Sequence, residues 1–394
     1  MNEQTRNVIT PAKQLPYGRH TITEDDIDAV VEVLRSDWLT TGPAVERFEN
    51  AIAAYTGASH AVAVSSGTAA LHAVMHTLGI RPGDEVVVPP ITFAATANAV
   101  VYCGGTPIFA DVKPGSLLLD PARVVEKITS RTRAVVAVDY AGQPCDYDEL
   151  REIARQHNLA LVADACHAIG ATYKNRKVGT LADLTAFSFH PVKHITTGEG
   201  GMITTNEAGF AKRMRAFRNH GITTDHKERN EKGSFFYEMV DLGFNYRISD
   251  FQCALGTSQL RKLPLWLKQR ESIARKYDEQ LRVVKGVRPL EGHPDRTHAY
   301  HLYVIRLDLQ TGSSPRAKVF AALRQQGIGA NVHYLPVHLH PFYRTRFGYG
   351  EGLCPVAEAA YEEILSLPIY PQMDDADVLR VVDSLEKALK EGGR

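Results

Sequence analysis

"VVVPPITFAATANAVVYCGGTPIFA", from Val86 to Ala110, carries no charged residue. Its length alone would let it cross a bilayer as a helix. Pro89-Pro90, Gly104-Gly105 and Pro107 punctuate it, however, and Thr92, Thr96 and Asn98 interrupt its apolar character. The run divides better into a strand, a buried helix and a second strand. Uncharged strands of this kind belong to a sheet covered on both faces, hence an α/β fold with mostly parallel strands.

The same alternation extends outward in both directions. "AVAVSS" (61–66) reads as a strand and "GTAALHAVMHTLG" (67–79) as a helix starting on a glycine turn. Downstream, Asp120-Pro121 gives an N-cap and a first-turn proline that open a helix. "RAVVAVD" (133–139) and "LALVAD" (159–164) read as strands. Between them lies a helix over 146–158, with Asp146 and Glu149 at capping-box spacing. "LTAFSF" and "MITT" are two more strands, followed by a helix over "EAGFAKRMRAFRNHG".

From Ile248 the pattern changes. "ISDFQCALGTSQLRKL" is helical, Pro264 is expected to break or kink the run, and a further helix follows. "HLYVIRLDL" and "GANVHYL" (329–335) read as strands of a smaller α+β domain, closed by a terminal helix. The expected organisation is an N-terminal arm over 1–20, a large α/β domain over 21–262 and a small C-terminal domain over 263–394. The polar segment 223–234 is the candidate mobile loop.

The bulk numbers narrow the function. The chain has 394 residues, 44% hydrophobic and 23% charged, as in an ordinary soluble globule. Lys+Arg and Asp+Glu are both 45, so no bulk basic field draws in nucleic acid or anionic membrane. Five scattered cysteines without a CxxC pair point to reduced thiols in the cytoplasm. The first residues, "MNEQTRNVITPAKQLPYG", have no apolar core of the kind a signal peptide carries.

Ligands of such sheets bind beyond the carboxyl ends of the strands. Three candidates stand there. "SSGTAALH" sets Ser66, Gly67 and Thr68 at a helix N-terminus, which suits a phosphate. Asp164 ends "LALVAD", where a carboxylate can face a cleft. Lys193 lies in "SFHPVKHITTGEGG" (188–201), between two strands, where desolvation can strip its proton and leave a Schiff-base amine. A phosphate cup, an acid for a pyridine nitrogen and such a lysine together are what pyridoxal 5'-phosphate requires. Ser188 can add a hydroxyl to the phosphate, Phe93 can stack on the ring, and His167 can orient it. A bland alternative exists for each: a capped helix start, a turn aspartate, a loop lysine, a core phenylalanine. His333, His338 and His340 suggest a metal only weakly, since no cysteine or carboxylate stands at ligand spacing.

The chain resembles the sugar aminotransferases of the DegT/DnrJ/EryC1/StrS family, fold-type-I pyridoxal phosphate enzymes. The resemblance rests on "SDWLTTGPAVERFE", "SSGTAALH", "PPITFAATANAV", "ADACHAIGA", "FSFHPVKHITTGEGG", "RNHGI", "GFNYRISDFQCALGTSQL" and "HYLPVHLHPFY". These run in family order over nearly the whole chain. The resemblance implies that Lys193 carries the cofactor and shuttles protons, with Asp164 on the pyridinium nitrogen and His167 beside it. Ser66, Gly67, Thr68 and Ser188 would hold the phosphate, and Phe93 would lie on the ring. Asn245 would reach the neighbouring subunit's phosphate, making a homodimer with active sites at the subunit interface. Trp38, Thr40, His190, Arg247, His333 and Tyr334 would line the sugar-nucleotide cavity. The partners implied are a UDP-sugar and L-glutamate, with pyridoxamine phosphate between two half-reactions.

"HPVKHITTGEGG" with "ANVHYLPVHLHPFY" looks most like the subgroup that aminates C-4 of a UDP-linked 4-keto-6-deoxy-N-acetyl sugar in pseudaminic acid biosynthesis. Ala163 stands where the family often has Glu, and His194 follows the lysine where other residues, including Pro, are familiar. Two rival readings remain. A sugar dehydratase of the same family would carry histidine in place of Lys193. A pyridoxal phosphate-binding regulator would not transfer the amine to a sugar.

Overall fold

The computed structural model describes residues 14–224, 229, 233–308 and 316–391. Part of the expected N-terminal arm, and residues 225–228 and 230–232 of the expected mobile loop, lie outside them.

The strands run β1 (His60–Val64), β2 (Glu85–Val88), β3 (Thr106–Phe109), β4 (Thr132–Val138), β5 (Ala160–Asp164), a two-stranded hairpin β6 (Thr172–Tyr173) and β7 (Arg176–Lys177), then β8 (Leu184–Ser188) and β9 (Gly201–Thr205). Seven of them form the main sheet in the order β1-β9-β8-β5-β4-β2-β3. The pairs from β8 to β3 are parallel, and only β9 is reversed, antiparallel to both β8 and β1. The uncharged run from Val86 to Ala110 is β2, the helix Ala95–Tyr102 and β3, as its punctuation predicts. Among the described residues no helix is long and apolar enough to cross a membrane.

The main core fills both faces of this sheet, with Val62, Val87, Val136, Leu161, Phe187 and Ile203 among its members. A second core lies on a three-stranded antiparallel sheet, β10 (Val287–Pro289), β11 (Tyr303–Leu307) and β12 (Ile364–Leu367). The helices Arg316–Gln325 and Asp375–Glu391 cover it.

Three expectations fail locally. The run around Pro264 is one helix, Asp250–Leu281, of 32 residues. Proline removes one backbone bond there, but Leu260, Leu263 and Trp266 are buried on either side of it. One turn before it, Lys262 and Gln259 bond the buried carboxylate of Asp26, 2.7 Å from each. Packing outweighs the local break. Asp146 precedes the helix Tyr147–Gln156 but makes no side-chain cap. Its carboxylate is engaged by Lys113 at 2.6 Å and Arg296 at 2.7 Å instead. The segment 329–335 is not a strand. It makes a single bridge, Asn331 to Ser366, and the edge of the small sheet is β12. Beyond that bridge His333 turns its Nδ1 to the Ser366 hydroxyl, and its carbonyl accepts from Tyr140, which ends the pairing.

Candidate active site

β5 delivers Asp164 to the carboxyl edge of the sheet, and the side chain is buried. Thr96 donates its hydroxyl to Oδ2 at 2.7 Å, and the Cys166 backbone N–H donates to Oδ1 at 3.3 Å. Thr92 bonds Thr96 at 2.6 Å, so the segment after β2 holds the carboxylate from behind. A carboxyl group held from behind by two donors is suited to a cationic partner on its open side.

β8 and β9 carry the lysine loop between them. Phe189 N–H donates to Gly200 O at 2.9 Å, and Lys193 N–H to His190 O at 2.9 Å. Phe189 and Ile195 are buried, which pins the loop on either side of Lys193. The amine lies 3.4 Å from His301 Nε2. Burial pushes its pKa below the ordinary lysine value, against the opposing pull of Cys166 and Asp164.

Ser66 caps the helix Gly67–Thr77 by accepting from Ala69 N–H at 3.0 Å, leaving the first turn's other donors at the sheet edge. Gly67 meets Ser188 there. A Cβ on Gly67 would stand 2.9 Å from Ser188 Cβ and 3.2 Å from its Oγ. Thr68 is half-buried in the same turn. Gly201 packs on the Ser66 carbonyl so tightly that a side chain would collide with it. That contact explains the glycine after the lysine loop. The cup fits a phosphate: a small concave surface of helix-start N–H groups and one hydroxyl.

His167 is buried, with Nε2 3.3 Å from the Tyr334 hydroxyl, and burial pushes its pKa well below the ordinary histidine value. His333 is buried beside Tyr334 and its pKa is pushed down to about 4 by burial. Phe93 is 61% exposed, which removes the core-phenylalanine alternative, and its ring centroid lies 6.1 Å from that of Tyr334. His190 is exposed at the mouth of the lysine loop. The cradle, the desolvated amine and the buried carboxylate fit pyridoxal phosphate.

The remaining residues lie on a second group of segments. Tyr246 O accepts from Ser65 N–H at 2.9 Å, which fixes the segment carrying Asn245 and Arg247 beside the end of β1. Asn245 bridges Asn219, and Arg247 bonds the Asn219 side chain at 2.7 Å. Thr40 bridges Ser249, and Trp38 is exposed nearby in sequence. His338 bonds Glu358 at 2.9 Å rather than joining His333.

Sequence reasoning missed Thr96, Cys166 and His301. Thr96 and His301 stand 68 and 108 residues from the groups they touch, and no local pattern signals them.

Comparison with known proteins agrees with this geometry. The model of the DegT/DnrJ/EryC1/StrS aminotransferase family matches residues 20–386. The spore coat polysaccharide biosynthesis protein SpsC of Bacillus subtilis is 42% identical over 378 residues, covering 95% of this chain and 97% of its own. Helicobacter pylori PseC, an aminotransferase involved in the biosynthesis of pseudoaminic acid, superposes with a TM-score of 0.90 at 32% identity. That match covers 96% of this chain and 100% of PseC. Spr1654 of Streptococcus pneumoniae in its PMP form gives a TM-score of 0.90 at 30% identity, covering 96% and 99%, and its PLP form is similar as well. The chain is therefore a pyridoxal phosphate-dependent sugar aminotransferase and belongs to the DegT/DnrJ/EryC1/StrS aminotransferase family.

Proposed function

We propose that this enzyme moves the amino group of L-glutamate to C-4 of a UDP-linked 4-keto-6-deoxy-N-acetylhexosamine, giving UDP-4-amino-4,6-dideoxy-N-acetyl-β-L-altrosamine. The observation that carries this choice is the likeness to PseC over 96% of this chain and all of PseC. Pyridoxal phosphate supplies the electron sink that amino-group transfer needs.

The chain's own residues do the rest. Gly67, Thr68, Ser66 and Ser188 seat the phosphate, and Asp164 holds a positive charge at the ring nitrogen, steadied by Thr96. Phe93 would stack on the ring and His167 would help orient it. The Lys193 amine, whose hold on its proton burial weakens, takes the proton from the donor's α-carbon and later returns one to C-4 of the sugar. His190, His333, Tyr334, Trp38, Thr40 and Arg247 line the sugar-nucleotide cavity. The ribbon 235–244 exposes Phe235, Met239 and Leu242, which supports a homodimer in which Asn245 completes the neighbour's phosphate cup. A cytoplasmic location fits the five free thiols.

The likeness to SpsC, at higher identity, favours a second reading: another keto sugar, UDP-, dTDP- or GDP-linked, destined for a polysaccharide. A panel of 3- and 4-keto sugar nucleotides assayed with glutamate separates the two. Highest kcat/KM on the UDP-4-keto-N-acetyl sugar upholds the first. A higher value on any other member rejects it.

A further inference from the structure

Lys193 stands against a cluster of imidazoles. His301 Nε2 is 3.4 Å from its amine, and the His301 ring centroid lies 4.3 Å from that of His167 and 5.6 Å from that of His194. The Nδ1 atoms of His167, His194 and His301 are all buried without a partner. Three such atoms in one cluster is unusual, because buried polar atoms are normally paired.

The proton positions can be worked out from one end. Ala299 O lies 2.9 Å from His194 Nε2, and a carbonyl only accepts. His194 therefore carries its proton on Nε2, and its Nδ1 is a bare acceptor. Arg270 is buried with its guanidinium on the carbonyls of Tyr300 and Ile369, both at 3.0 Å. Burial, together with this cation, keeps His194 and His301 neutral. A neutral His301 has one ring proton to place. With it on Nε2, His301 would donate to the lone pair of the amine and block its use as base or nucleophile. With it on Nδ1, Nε2 accepts an amine N–H and the lone pair stays free. No hydrogen bond joins His194 Nδ1 to His301 Nδ1, so the bare Nδ1 of His194 bears on His301 through the field of its lone pair, across ring centroids 5.6 Å apart.

We propose that His194 and His301 are positioning residues for Lys193: the Ala299 carbonyl sets the tautomer of His194, His194 favours the Nδ1–H tautomer of His301, and His301 Nε2 holds an amine N–H so that the Lys193 lone pair faces away from the cluster. This rests on the reading of Lys193 as the reacting amine. It gives a role to His194, which departs from the familiar neighbour of that lysine, and to His301, far away in sequence.

The test uses the full chain without cofactor. Nitrogen-15 spectra of labelled histidine, assigned with H301Q and H194F, read the tautomers directly. Nδ1–H at His301 and Nε2–H at His194 are expected, with His301 shifting toward Nε2–H in H194F. Uptake of added pyridoxal phosphate, followed as the visible band of cofactor linked to Lys193, should slow roughly tenfold in H301F, the scale of one hydrogen bond. H301Q, which retains an acceptor, should recover most of the rate. An Nε2–H tautomer at His301 in the wild type, an unchanged rate in H301F, or H301Q as slow as H301F would each overturn the proposal. A wild-type chain whose Lys193 takes up no cofactor would defeat the aminotransferase reading instead, and the tautomers would still decide this one.

Discussion

Gly67 and Ser188 approach so closely that a single methyl group on the glycine would press on the serine Cβ at 2.9 Å. The two residues come from segments more than a hundred positions apart, and their junction is the proposed phosphate cup. Gly67→Ala is expected to keep the fold and lose cofactor. Overpacking of this kind costs about 1–3 kcal/mol, and relieving it by moving Ser188 out of the cup would weaken affinity by roughly 5- to 150-fold. Titration of visible absorbance against added pyridoxal phosphate, beside a thermal midpoint lowered by only a few degrees, checks it.

Lys193→Ala should still fold but no longer turn over, since loss of a proton-transferring group costs about 10²–10⁴ in rate. Sustained glutamate-dependent turnover by that variant would refute the role given to Lys193. In the wild type the amine must be deprotonated to act, so activity rises with pH along one limb. Burial lowers the folded pKa, which places that limb below the ordinary 10.5 of lysine.

Leu242 is 71% exposed and Met239 67%, on a ribbon held against Gly221 and Thr223. Leu242→Asp is expected to shift the protein toward monomer in sedimentation and to weaken cofactor retention through the loss of Asn245 from the neighbouring cup. A stable dimer in this variant would place the subunit contact elsewhere.

Acid should destabilise the chain through its buried and half-buried histidines. Burial lowers the pKa of His72 and His333 to about 4 and that of His298 to about 3, against 6.5 ordinarily. Below pH 6.5 the unfolded chain binds these protons first. Stability therefore falls as the pH drops toward the folded values, by about 1.4 kcal/mol per pH unit for each such histidine. Urea midpoints between pH 7 and 5 measure the slope, and His72→Phe should flatten it.

Asp26 is fully buried at the start of the helix Glu24–Leu34, with Gln259 and Lys262 both on its carboxylate. Asp26→Ala would leave the Lys262 ammonium with only the Thr23 hydroxyl and Asp25 at 3.9 Å, at a cost of about 1–3 kcal/mol. A denaturant midpoint close to wild type would show that the contact contributes little.

The parts of this molecule that could be read from the sequence are those whose cause is local. The strand ending at Asp164 and the glycines after Lys193 announce themselves within a dozen residues. The apolar run from Val86 announces its break points in the same way. Where a side chain is claimed from far away, local reading fails. Asp146 looks like a helix cap but serves Lys113 and Arg296, and Pro264 looks like a break but is bridged by packing on both sides. Thr96 and His301 carry no mark of the groups they touch, because folding alone brings them there.

The reversed direction of β9 has a mechanical consequence. A parallel neighbour would have required the chain to leave the sheet edge after β8 and travel around a long crossover before returning. Here it turns straight back, with Ser188 and Gly201 paired across the base of the loop. Lys193 thus rides on a clasp shut at its root. If Lys193 carries the cofactor as proposed, its side chain would have to release it and find it again in each cycle, and the clasp would return it to the same spot without relying on any distant element to stay in place.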